Sequence, residues 1–188
     1  MSNSMELIRV VRGICQPVCV VSLLLTGGVL SAHNQEHRVK NAAEEASSED
    51  RAFVGKVSQG GMYEVEASKV AMARATAPDV KDVAVTEVHD HEGVNQRLKQ
   101  IASSTGVEVS GELNPEFQQR LDKLKALSSA EFDQAYITDM QQIHDKDEKL
   151  FAAEATKGSS NYRSFAHQTD LIVKRHIGAL NAPEDQQM

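Results

Sequence analysis

Two carboxylates and three imidazoles occupy positions that helical periodicity assigns to the interior of this protein. Apolar residues recur at three- and four-residue steps around them, a spacing typical of the buried face of an amphipathic helix. Neutral imidazole binds zinc, copper or iron, and a neighbouring carboxylate either binds the same ion or orients the ring. We therefore interpret five residues as candidate ligands of a divalent transition metal (Zn, Cu or Fe): Glu64, His91, His144 and His176, with Glu87 as a further candidate.

The same five residues also fit a purely structural interpretation. A buried network of Glu and His side chains fixes the register of packed helices without any metal. Glu87 and His91 are four residues apart, so they face the same way on one helix. A di-iron site would need Glu-x-x-His on two helices, and the sequence lacks that motif. The residue types thus leave a metal site and a structural network open, and they argue against di-iron oxidation.

Four long amphipathic segments must position these residues. A short extra helix, residues 116–127, is predicted between the second and third of them, and Ser128 with Glu131 has the pattern of a capping box. Short connections should make the long helices alternate up and down. The sequence thus predicts an all-α fold, an antiparallel four-helix bundle. Its long helices are expected from about Asp50 to Ala77, from about Asp79 to residues 103–106, from Ser129 to Gly158, and from about Ser159 to Leu180.

The composition agrees with this fold class. The chain has 188 residues, which suits one domain. Aromatic residues make up 4% of the chain and tryptophan is absent, which argues against a β-sandwich or barrel. Helix-forming residues dominate after residue 50.

Counting along the predicted helices places three candidate ligands at one level. Glu64, His91 and His144 lie 14, 12 and 15 residues from the starts of their helices, which places them at similar heights in an alternating bundle of helices of similar length. At about 1.5 Å per residue these counts agree within one turn, or ~5 Å. The same count for His176 is 17 residues, so we expect it to lie about a turn away.

The first 32 residues have the order of a secretory signal peptide. Arg9 and Arg12 precede an uncharged stretch, residues 14–30, which ends at Ser31 and Ala32. We expect cleavage after Ala32 and a mature protein in the periplasm or cell envelope. The alternative is a membrane anchor formed by residues 14–30, since this stretch is at the short edge of a membrane span.

The rest of the chain divides by composition. Residues 33–50 are polar and acidic and predict a linker, in which His33 and His37 are taken as solvated residues. Residues 51–181 form the bundle domain, and residues 182–188 form a C-terminal tail.

Charge and cysteine content exclude several functions. The net charge is −7, without a basic run, so we expect no nucleic-acid binding. Cys15 and Cys19 both lie in the N-terminal stretch, so the mature domain has no disulfide framework and no thiolate. No catalytic motif is present, which favours a non-enzymatic envelope protein, a stress or interaction module, over an enzyme. Association with the inner or outer membrane, a protein partner and a homo-oligomer all stay open.

Short motifs along the chain resemble a known family. Residues 59–66, QGGMYEVE, followed by Lys69, resemble the first-helix signature of bacterial domain-of-unknown-function family 4142, whose members are often described as predicted outer-membrane proteins. Asp90-His91 and the segment 127–133, LSSAEFD, resemble its second and third helices. Leu171 departs from the family, which often has proline there.

The resemblance covers about residues 52–180 and carries several expectations. It implies a ferritin-like helical bundle behind a signal peptide, in the periplasm or envelope, with no established reaction. The family positions of interest map onto Glu64, His91, His144 and His176, which are four of the candidate ligands.

Overall fold

The computed structural model describes residues 45–182, and within that range all regular structure is helical. The all-α prediction is confirmed. Residues 1–32, most of the linker and residues 183–188 lie outside the described range. None of the helices in that range is long and apolar enough to span a membrane. There are five of them: α1 Ser48–Arg74, α2 Pro78–Ser104, α3 Pro115–Ala126, α4 Ser129–Lys157 and α5 Ser160–Leu180.

Capping boxes set the start of two helices. The backbone N–H of Asp50 donates to Ser47 Oγ at 3.0 Å, and the backbone N–H of Ser47 donates to Asp50 Oδ2 at 2.7 Å. This pair begins α1 slightly earlier than predicted, inside the segment assigned to the linker. Ser128 and Glu131 form the predicted box at the start of α4.

Two hydrophobic clusters fill the interior, and every long helix passes from one to the other. α1 packs along α2, α4 packs along α5, and the two pairs meet through α1–α4 and α2–α5 contacts. α1 and α5 run from the second cluster to the first, whereas α2 and α4 run the opposite way. The predicted up-and-down alternation is therefore wrong at the third long helix, because the connection through α3 returns the chain to the end at which α2 begins. The first cluster includes Tyr63, Ala71, Ala84, Phe132, Met140 and Leu180, and the second includes Phe53, Val57, Leu98, Phe151, Phe165 and Val173.

The polar residues lie where one cluster gives way to the other. On α4, for example, His144 follows Ile143 of the first cluster and precedes Phe151 of the second. The candidate ligands therefore share one layer of the interior, with apolar packing on both sides.

A separate buried carboxyl pair joins the start of α1 to the end of α4. Glu154 is 6% exposed and Asp50 is 0% exposed. Burial, together with the hydrogen bond and charge of Asp50, raises the pKa of Glu154 to about 7. Burial acts against ionisation of Asp50 too, but backbone N–H groups of Ser159 and Ser47 lower its pKa to about 2. Below neutral pH, Glu154 is therefore the protonated partner of an ionised Asp50.

The Asp50–Glu154 pair makes the free energy of unfolding depend on pH. The substitution Glu154→Gln should remove this dependence. The folded pKa of Glu154 lies above its ordinary value of 4.5, so the folded chain binds the extra proton and stability falls as pH rises from 4.5 through about 7. Glutamine keeps the donor without a titrating proton. We expect the free energy of unfolding of the variant to equal that of the parent near pH 5. Near pH 8 it should be higher by about 1 kcal/mol, after allowance for solvent screening.

Thermal unfolding at the two pH values measures this difference. Glu108→Gln, at an exposed glutamate, is the matched control and should keep the parental pH dependence. The interpretation fails if Glu154→Gln loses as much stability as the parent between the two pH values.

Candidate metal centre

Four side chains from three helices converge in the polar layer. Glu87 and His91 come from one face of α2, His144 from α4 and His176 from α5. One ligand atom from each lies within 4.8 Å of the other three. Each of the four residues is at most 2% exposed. The helices thus assemble a buried group of three imidazoles and one carboxylate.

The three histidines converge on one oxygen of Glu87. Its Oε2 lies 3.1 Å from His91 Nε2, 3.4 Å from His144 Nε2 and 3.2 Å from His176 Nδ1. The last two nitrogens are 3.1 Å apart. Donors placed tetrahedrally at zinc–ligand distances of about 2.0–2.1 Å are about 3.3 Å from one another. Four of the six separations therefore match the edges of a tetrahedron around a metal ion, and all four atoms lie within 4.8 Å of one another.

The second ring nitrogen of each histidine faces an oxygen atom. An acceptor on this outer nitrogen favours the tautomer in which the outer nitrogen carries the proton and the inner nitrogen keeps its lone pair. In the neutral state, three lone pairs then face the Glu87 carboxylate. The outer contacts are His91 Nδ1 to Glu64 Oε2 at 3.1 Å, His144 Nδ1 to the Met140 carbonyl oxygen at 2.9 Å, and His176 Nε2 to Asp90 Oδ2 at 2.8 Å.

A hydrogen bond joins two of the inner atoms, His144 Nε2 and His176 Nδ1, but the other two are unpaired. His91 Nε2 and Glu87 Oε2 are buried and have no hydrogen-bond partner among the described residues. An unpaired buried polar atom costs on the order of 1–3 kcal/mol. Facing acceptors of this kind are satisfied by a proton or by a cation.

Protons satisfy the group when no metal is bound. Burial alone would lower the pKa of His144, but its contact with Glu87 and the charge of Glu64 raise it to about 10. Burial alone would raise the pKa of Glu87, but hydrogen bonds from His144, His176 and His91 hold it well below its usual range. The metal-free centre therefore pairs an ionised carboxylate with protonated histidine, and a metal ion must displace that proton.

The family follows from a comparison of the whole domain. The family model described as Domain of unknown function (DUF4142) matches residues 35–182. The chain belongs to the DUF4142 family. The resemblance noted in the sequence is thereby confirmed, and the matched range contains all five candidate ligands. A comparison with curated proteins finds no significant match.

A solved structure shares the fold of this DUF4142 domain. It is the crystal structure of a DUF305 fragment from Deinococcus radiodurans, with a TM-score of 0.64 and 12% sequence identity. The similarity covers 72% of this chain and 95% of that chain. At this identity the likeness concerns the fold alone.

The predicted ligands of the DUF4142 domain take different places in the centre. Glu87, named as a further candidate, meets the three histidines, whereas Glu64 lies behind His91, on its outer nitrogen. His176 contacts His144 directly, so the expected offset of one turn is wrong. The count assumed that the four long helices alternate in direction, whereas α2 and α4 run parallel. The boundary between the two hydrophobic clusters is the better reference.

Two carboxyl groups beside the centre were missed as functional residues. Asp90 binds His176 and also the Arg175 guanidinium. Asp147 interacts with Glu64, and burial followed by the Glu64 charge raises the pKa of Asp147 to about 8. A signal was present in the sequence, because each aspartate lies three residues after a candidate ligand and therefore on the same helix face.

Proposed function

We propose that this chain is an exported, non-enzymatic metal-binding protein of the cell envelope. Its four long helices form an antiparallel, ferritin-like four-helix bundle around one divalent transition metal ion. Glu87, His91, His144 and His176 bind the ion. One observation carries the proposal: four buried ligand atoms lie within 4.8 Å of one another, and each histidine is oriented by an oxygen on its outer nitrogen.

Zinc is the ion that this ligand set suits best. Imidazole nitrogen and carboxylate oxygen are both ordinary zinc ligands, and zinc accepts tetrahedral coordination without strain. Copper(II) prefers a tetragonal arrangement, although its intrinsic affinity for such donors is higher. Outer carboxylates such as Glu64 and Asp90 raise the basicity of the rings that they contact.

The closed geometry supports binding over catalysis. Catalytic zinc sites keep a position open for water or substrate, whereas structural sites use four protein ligands. Here the four ligands are almost fully buried between two apolar clusters. Such a centre holds or stores an ion, and it stiffens the bundle around it.

Export is proposed from residues 1–32, as a cleaved signal peptide or, alternatively, as an anchor formed by residues 14–30. Mass spectrometry of the chain from fractionated cells tests this proposal. We expect the mature protein to begin at or near His33. An intact N-terminus in the membrane fraction would favour the anchor, and an intact N-terminus in a cytoplasmic pool would remove export.

Metal analysis of natively exported protein tests the binding proposal. We expect one equivalent of metal per chain in the parent. His91→Ala with His144→Ala should retain essentially none, because two of the four ligands are gone. His33→Ala with His37→Ala removes two histidines from the linker and should leave the stoichiometry unchanged. Equal, substoichiometric metal in all three proteins would contradict a site in the bundle.

The structural network is the second candidate function. The raised pKa of His144 favours it, because a protonated histidine beside the Glu87 carboxylate satisfies the layer without metal. On this interpretation the chain is a stress or interaction module whose polar layer sets helix register. The same metal analysis separates the two, since a register-fixing network binds no ion in stoichiometric amount.

A further inference from the structure

A cavity opens from the surface toward the outer side of the polar layer. It has a volume of about 420 Å³ and is bordered by α1, α3 and α4. Gly55 and Gly60 form part of the α1 wall, so few side chains narrow the cavity there. Asp147, on α4, lines the same cavity and is partly buried. A carboxyl group that interacts with Glu64 is therefore accessible from this cavity.

Glu64 connects Asp147 to the histidines. Its Oε2 lies 3.1 Å from His91 Nδ1, and its Oε1 lies 3.7 Å from His144 Nδ1. Oε1 has no hydrogen-bond partner, although Glu64 is 1% exposed. An unpaired buried carboxylate oxygen beside a second carboxyl group attracts a cation. Carboxylate oxygens and retained water are what a hydrated divalent ion accepts as ligands.

The positive side chains around this cavity do not block the carboxyl pair. Lys56 and Lys146 line it but are exposed, so solvent screens them. Arg120 is paired with Asp139, with its Nη2 2.6 Å from Asp139 Oδ1. The cavity wall at Asp147 is therefore open to an incoming cation.

The opposite side of the centre is less suited to entry. A cavity of about 340 Å³ between α2 and α5 reaches Asp90. Both His176 Nε2 and the Arg175 guanidinium already bind the Oδ2 atom of Asp90. This oxygen is therefore already paired with two positive or hydrogen-bonding groups and is less available to an incoming cation.

We propose that Glu64 and Asp147 form an outer cation-binding site, through which a divalent metal ion from the α1–α3–α4 cavity reaches Glu87 and the three histidines. This inference rests on the proposed metal-binding function and adds the route to it. The ion exchanges part of its water for the Asp147 and Glu64 oxygens before it passes to the inner atoms. Entry and exit share this path, so a barrier there slows both equally.

The rates of metal uptake and release test the route. The full chain, carrying Cys15→Ser, Cys19→Ser, His33→Ala and His37→Ala to remove other ligands, is freed of metal and mixed with Co²⁺. Uptake is followed by absorbance, release by transfer to a chelator, and final occupancy by metal analysis. Asp147→Asn should slow uptake by about tenfold, because it replaces a carboxyl group that becomes a carboxylate ligand as the ion binds with a neutral amide. Release should slow by the same factor, with occupancy unchanged.

The matched control is Asp145→Asn, which removes an exposed carboxylate from the same helix. It should take up and release Co²⁺ at the parental rates. Full occupancy with parental rates in Asp147→Asn overturns the route, as does slowing in Asp90→Asn but not in Asp147→Asn. Failure of the parent itself to bind one equivalent contradicts the proposed function, and the route with it, so the two failures are distinguishable.

Discussion

Zinc is expected to raise the midpoint of thermal unfolding by on the order of 10 °C, and His144→Ala is expected to abolish the rise. A ligand that binds the folded state alone stabilises it by about 4 kcal/mol at a free concentration a thousand times its Kd. In a domain of this size, about 1 kcal/mol shifts the midpoint by roughly 2–4 °C. His144 is 0% exposed, and its Nε2 faces both Glu87 and His176. Alanine therefore removes a ligand that water cannot easily replace.

Calorimetry with and without added zinc measures this effect. His167→Ala is the control, because His167 is exposed on α5 and its loss should leave the full zinc response. Circular dichroism confirms that each variant is folded before zinc is added. His176→Gln provides a second ligand variant of milder shape change and should also lose the response. A full zinc shift in both ligand variants would place the metal elsewhere.

Glu87→Gln is expected to lower the free energy of unfolding of the metal-free chain by about 3–5 kcal/mol near pH 7. The substitution keeps the shape of the side chain but removes the charge on which three buried histidines converge. The raised pKa of His144 depends on that charge, so the variant must either bury an uncompensated imidazolium or release its proton. In either case the chain loses the ion pair between the Glu87 carboxylate and protonated histidine that stabilises the polar layer.

Glu154→Gln is the matched control for this prediction. Both residues are buried glutamates, but Glu154 carries its proton below neutral pH whereas Glu87 is held ionised. Urea unfolding in the presence of a chelator should therefore show a large loss for Glu87→Gln and a small change for Glu154→Gln. Equal losses would mean that the charge of Glu87 does not organise the layer.

Much of the fold could be predicted from local sequence patterns. Three- and four-residue periodicity located the long helices, and the Ser128–Glu131 pattern marked the start of α4. The interior position of the five polar residues was also readable, because each interrupts an apolar stripe. All five are at most 2% exposed in the structure, and His89 and His167, predicted to be exposed, are exposed.

The role of each residue in the polar layer could not be predicted from the sequence. Glu64 and Glu87 both lie on apolar stripes, and which of them meets the inner nitrogens depends on how each helix is rotated about its axis. That rotation is set by packing between helices, such as the contact of Phe53 with Phe151 and Phe165 across three helices. The level of His176 likewise depends on where α5 starts relative to its neighbours. Spacing along one helix specifies neither quantity.

X-ray absorption at the zinc edge of the zinc-loaded chain tests the metal centre most directly. Ligation by Glu87, His91, His144 and His176 predicts four nitrogen or oxygen atoms at about 2.0–2.1 Å, with outer scattering from three imidazole rings and no sulfur. A sulfur shell at about 2.3 Å would instead indicate Cys15 and Cys19. That result, or a shell of oxygen atoms without imidazole scattering, would contradict a metal centre built from these four residues.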